Sequence, residues 1–129
     1  MASINTRLQL QSKNIFTNAF SSRNDKAYQL EADVDRYIRT ITANSSGSAQ
    51  TILAVSTYGA DKNVLVFLKN RSNVTNKLLY VIIGSQQIMR LAPGQFTIFP
   101  WRTESGDDLK IYGNDTNGIK MEVLAGKAT

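Results

Sequence analysis

The longest unbroken apolar run in this chain is LLYVII at 78–83, and clusters of Gly, Pro, Asn, Asp and Ser interrupt the sequence every roughly 8–12 residues. Runs that short fit strands better than helices, and none nears the ~18 apolar residues of a membrane span. TILAVS at 51–56 reads as one strand. VLVFLK at 64–69 and KLLYVII at 77–83 read as strands covered on both faces. QIMRL at 87–91 follows Gly84-Ser85 so closely that 77–91 reads as a hairpin. In Ala92-Pro93-Gly94 the proline presets φ and the glycine accepts φ > 0, which predicts a type II turn. Phe96 and Ile98 then alternate with Gln95 and Thr97, and Pro100 breaks that strand or places it at a sheet edge. Leu109 and Ile111, then Ile119, Met121 and Val123, mark two more strands, joined through GNDTNG at 113–118 with its Asn-Gly hairpin signal. The pattern predicts an all-β fold, an antiparallel β-sandwich (jelly-roll-like).

The first 24 residues differ from the rest. They hold Arg7, Lys13 and Arg23 and no acid, in a segment rich in Asn, Ser, Thr and Gln. Leu8 and Leu10 alternate with polar residues, as in a short edge strand. Ile15, Phe16 and Phe20 are too apolar for a free tail. We read residues 1–24 as an extended N-terminal arm docked on its own domain or on a neighbour, and 25–129 as the sandwich domain. Residues 27–42 fit two strands with a turn at Asp35-Arg36; a short helix is the alternative.

The chain contains neither cysteine nor histidine. This excludes a disulfide framework, zinc of the usual N/S type, and Ser-His-Asp or Cys-His chemistry. The carboxylate pairs Asp33/Asp35 and Asp107/Asp108 read as solvated strand and loop positions, and NDTNG at 114–118 lacks the frame of a calcium loop. No phosphate-cradling or nucleophile-elbow motif is present. An enzyme is not expected, nor a metal or cofactor. A nucleic-acid platform needs aromatics among cations on one exposed sheet face. Arg36, Tyr37 and Arg39 are the best remnant of one, while Phe67, Phe96 and Phe99 sit inside apolar patterns and read as core. Trp101 and Arg102 belong to residue types enriched at interface hot spots, although a Trp there can also close one end of a sandwich. The opening MASINTRLQLQSK has no apolar leader core, so the sequons at Asn44, Asn70, Asn73 and Asn114 read as turn chemistry.

From 63 to 124 the order NVLVFLKNRSNVTN, LLYVII, IMRLAPGQFTIFPW, DLKIYG, GIKMEVL resembles small β-sandwich virion proteins of tailed bacteriophages, of the capsid decoration (cement) type and of small tail or neck proteins. Leu91, Pro93, Gly94, Phe96, Glu122 and Val123 carry the likeness. The resemblance implies a non-enzymatic virion structural protein, made in the host cytoplasm, that binds and stabilises the capsid shell. Its partners would be other virion proteins, the major capsid protein first, and further copies of itself in a homo-oligomer; neither nucleic acid nor membrane is expected. Arg7, Lys13, Ile15, Phe16, Phe20, Arg23, Trp101 and Arg102 are the candidate partner contacts. A tail, neck or fibre-associated protein is the alternative within that class. A carbohydrate- or single-stranded nucleic-acid-binding β module is the alternative outside it.

Overall fold

The computed structural model describes residues 3–12, 20–29 and 35–128. Strands β1 (Ser3–Ser12) and β2 (Phe20–Gln29) pair antiparallel along their whole length, from Ser3 opposite Gln29 to Ser12 opposite Phe20. The anticipated arm is thus a two-stranded ribbon where it is described, and the boundary at residue 24 falls inside β2.

Eight further strands build the sandwich. One sheet holds β3 (Asp35–Ile41), β10 (Ile119–Lys127), β5 (Asn63–Asn70) and β8 (Phe96–Arg102), in that spatial order. The other holds β4 (Gln50–Leu53), β9 (Leu109–Gly113), β6 (Leu79–Ile83) and β7 (Gln86–Leu91). With β3 counted as the first of the eight, the orders are 1-8-3-6 and 2-7-4-5, the arrangement of a jelly roll. Every pairing is antiparallel. The core lies where the inner faces meet. Val64, Val66 and Leu68 of β5, Met121 and Val123 of β10, and Leu79, Val81, Leu109 and Ile111 of the facing sheet are almost fully buried. Period-two alternation puts these residues on one face of each strand.

Three local expectations fail. Asp35 and Arg36 open β3 instead of turning, because their backbone pairs with Ala125 and Leu124 of β10. TILAVS is not one strand: β4 stops at Leu53, and Val55–Tyr58 forms the one-turn helix α1. The Asp108 carboxylate accepts the Val55 N–H at 2.8 Å, capping the turn that the β-branched sequence disfavours. GNDTNG is not a hairpin, because β9 and β10 lie in opposite sheets. Its turn closes between Asp115 and Gly118 at 3.2 Å and carries the chain across the sandwich.

The 92–95 turn is as expected. Gly94 has φ +79°, and the Gln95 N–H donates to the Ala92 carbonyl at 3.0 Å. A Cβ at Gly94 would meet nothing within 4 Å, so Gly94→Ala incurs only the conformational strain of positive φ. That strain is about 1 kcal/mol, and the melting midpoint of the variant should fall by roughly 4 °C. An unchanged midpoint in a thermal melt would contradict the assignment.

Candidate functional site

The outer face of the β3-β10-β5-β8 sheet is the surface that departs most from an ordinary solvated face. Alternation sends the side chains of Leu65 and Phe67 of β5, Leu124 of β10, and Phe96 and Ile98 of β8 away from the core. Leu65, Phe67, Ile98 and Leu124 line a purely apolar depression of about 210 Å³. Phe96 is 63% exposed and its ring lies 6.0 Å from that of Phe67, while Ile98 is 46% exposed. Ile38, one row away on β3, is exposed as well. Phe96 was expected in the core; its place opposite Lys69 on the outer side of the edge strand puts it in solvent.

Cations border this face. Lys69 and Lys120 flank the apolar rows and have no ion-pair partner among the described residues. Glu122 is the acid within the face, and it is neutralised twice: Arg36 Nη2 and Arg71 Nη1 each approach its carboxylate to 2.8 Å. Hydrogen bonds from Arg36 and then Arg71 hold the Glu122 carboxyl below its ordinary range, against the opposing effect of burial. The folded carboxyl therefore titrates below its unfolded value. Its contribution to stability is complete above the ordinary glutamate range and fades as pH falls through the folded value. Melting midpoints of the natural protein and Glu122→Gln should differ most at neutral pH and converge as pH falls below the ordinary glutamate range and through the folded value. A gap that stays constant over that range would contradict the pairing.

The expected partner contacts fare unevenly. Trp101 is only 2% exposed, because alternation from Pro100 points its ring inward. There it meets Tyr58 edge-on at 6.0 Å and 87°, and its Nε1 donates to the Asp107 carbonyl at 3.1 Å. It closes one end of the core and offers no surface to a partner. Arg102 points outward, about half exposed, with Asp61 and Glu104 at 3.5 and 3.9 Å. Arg7, Phe20 and Arg23 lie on the β1–β2 ribbon, and Lys13, Ile15 and Phe16 lie outside the described residues.

The remnant of a nucleic-acid face dissolves. Arg36 is on the outer side of β3, whereas Tyr37 turns inward and its hydroxyl donates to the Ile52 carbonyl at 2.8 Å, tying the two sheets together. Arg39 follows Tyr37, 5.5 Å from the centre of its ring. Aromatics and cations do meet elsewhere. Tyr80 and Tyr112 stack at 4.6 Å on the outer face of the second sheet, with Arg90 opposite Tyr80 and Lys110 two residues before Tyr112. The pair is not legible in the sequence, where Tyr80 lies inside an apolar run. Only the register brings Tyr112 beside it.

The loop that resembled a calcium site is occupied by its own contacts. Asp115 pairs with Lys77, and the Asn114 carboxamide accepts from the Leu78 N–H while donating to the Asn76 carbonyl. Among the described residues no group of three or more Asp or Glu could hold a metal ion, and no helix is long and apolar enough to cross a membrane. No family model matches the chain, and neither a curated protein nor a solved structure matches it.

Proposed function

We propose that this chain is a non-enzymatic structural protein of a tailed-phage virion, decorating or cementing the capsid shell. The observation that carries the reading is the outer face of the β3-β10-β5-β8 sheet, apolar at its centre and cationic at its rim. An exposed apolar patch of this kind on a small protein marks a place where another protein sits. With Lys69 and Lys120 at the rim and Glu122 already neutralised, the complementary surface is apolar and acidic, a match for a capsid shell protein. The likeness of residues 63–124 to phage decoration proteins supports the same reading, as does a jelly-roll architecture, which viral capsid domains share with lectins. A tail or neck position would use the same face.

The test is to purify particles from a producing host and locate the protein in them. It should co-purify in a fixed ratio to the shell protein and label the outer surface. Ile38→Asp and Lys120→Glu change exposed positions on the face and should abolish attachment without changing the melt. Particles that lack the protein would overturn the reading. A second reading, binding of a single-stranded nucleic acid, is favoured by Tyr80, Tyr112, Arg90 and Lys110 alone. Salt-sensitive binding of an oligonucleotide, lost in Tyr80→Ala, would support it.

A further inference from the structure

The sandwich has four edge strands, and three of them are protected against further pairing. β3 carries Arg36 and Arg39; β4 is four residues long with a register shift between Thr51 and Leu53; β7 has an irregularity opposite Val81 and Ile82 and carries Arg90. Charges, brevity and bulges are the usual means of keeping an edge from pairing. β8 is different. From Gln95 to Phe99 it holds no charge and its pairing with β5 has no register shift. Among the described residues nothing pairs with its other edge.

The direction of its backbone groups follows from the bonds at its two ends. The Asn70 N–H donates to the Gln95 carbonyl at 2.9 Å, and the Thr103 N–H donates to the Lys62 carbonyl at 2.8 Å. Gln95 and Thr103 are both odd-numbered and stand on the β8 side of one continuous register, so odd residues bond β5 and even residues face outward. Phe96 and Ile98 thus present free N–H and C=O groups at the edge, and their exposed side chains stand on the outer face beside them. Pro100, which has no N–H, falls on the outward side and leaves the β5 ladder intact.

We propose that β8 pairs antiparallel with β8 of a second copy of this chain, about a two-fold axis at Thr97. In that register Phe96 stands opposite Ile98 of the other copy, and each pair exchanges two N–H···O bonds. Pro100 falls opposite Gly94, which belongs to the 92–95 turn and donates its N–H to the Asn70 carbonyl, so the ladder ends at the Phe96–Ile98 pairs and calls on no N–H at Pro100. An axis one residue later, at Ile98, would set Pro100 opposite Phe96 on both sides and lose a bond each time. The side chains agree as well: Phe96 against Ile98 is a favourable aromatic–aliphatic cross-strand pair, and no charge of one copy faces a charge of the other within the window. A two-fold axis satisfies both copies with the same strand, which an acidic partner strand would not require. The two outer faces then join into one eight-stranded surface. This deepens the oligomer part of the reading above, but needs no particle to be tested.

A single cysteine tests the register. The chain has none, so Thr97→Cys would be alone. On the axis, in a non-hydrogen-bonded pair, the two Cα atoms would lie about 4.5 Å apart, within reach of a disulfide. Mild oxidation of the purified variant at low micromolar concentration should yield covalent dimer at least tenfold faster than Thr40→Cys, an exposed control on β3. In sedimentation, Ile98→Glu and Phe96→Lys should each weaken the dimer at least tenfold. The double variant should restore it, because the introduced ammonium of one copy then faces the introduced carboxylate of the other. A natural protein that stays monomeric at about 100 μM would overturn the proposal, as would equal cross-linking at the two cysteines or a double variant weaker than either single one. If Thr97→Cys fails to fold, the charge variants decide alone. A dimer that ignores the capsid shell would remove only the shell reading, and a monomer that binds the shell would remove only the pairing.

Discussion

Trp101→Ala should destabilise the protein by about 3–5 kcal/mol, the cost of emptying a large buried aromatic site. The ring is nearly inaccessible and belongs to the contiguous core shared by both sheets. Its removal takes away the edge contact with Tyr58 and orphans the Asp107 carbonyl at the mouth of the 103–108 loop. Neighbours in a sandwich cannot close such a space, because strand pairing holds their backbones. For a chain of this size the melting midpoint should drop by roughly 11–18 °C. Trp101→Phe keeps part of the volume and should recover about half of that loss. Trp101 is the sole tryptophan, so its emission in the natural protein should be blue-shifted and should move red in the same transition that circular dichroism reports. A melt that changes by less than about 2 °C in Trp101→Ala would refute its place in the core.

Asn70→Ala should cost about 3 kcal/mol, roughly 10 °C. Asn70 is fully buried at the end of β5 and works as a connector. Its Nδ2 donates to the Lys77 carbonyl at 2.8 Å and the Leu91 carbonyl at 3.0 Å, and its Oδ1 accepts from the Ser72 N–H at 3.0 Å. One side chain thus holds the 71–77 connection, the end of β7 and the start of the 92–95 turn. Truncation leaves two carbonyls and an N–H without a partner in or near the core, each costing about 1–3 kcal/mol before relaxation and water entry. Asn70→Asp tests the directionality. It keeps the acceptor for Ser72 but turns an oxygen towards two carbonyls, so at neutral pH it should be no more stable than Asn70→Ala. An aspartate variant with the natural melting midpoint would refute these hydrogen bonds.

Asn70 also shows how a residue type can mislead. In the sequence it is the first residue of an N-x-S pattern in a polar connection, and it reads as turn chemistry. Nothing local announces that its carboxamide is buried, since the carbonyls it satisfies come from residues seven and twenty-one positions away. Trp101 was open for a similar reason. Its sequence position after a proline suited an interface anchor or a core plug, and only the parity of β8 against β5 turned the ring inward. The candidate face was the least legible part. Phe67, Phe96 and Ile98 lie in apolar patterns that look like core. The side they occupy depends on which strand ends at a sheet edge and which face meets the other sheet.

What the sequence determined by itself is the local grammar. Period-two alternation and short apolar runs set the strands, Pro93-Gly94 set a turn with φ > 0, and Pro100 limited its strand to an end or an edge, because steric and hydrogen-bonding limits on one or two residues act wherever they stand. The absence of cysteine and histidine likewise bounded the chemistry without any structure. Only the tertiary structure decided the order of the strands. The Asn-Gly turn at 117–118 would serve a hairpin equally well, yet β9 and β10 part to opposite sheets, and β10 instead lies between β3 and β5. Those partners are distant in the chain, and their choice is settled by burying every apolar strand face at once against the facing sheet. That is a property of the whole packed sandwich, carried by no single segment.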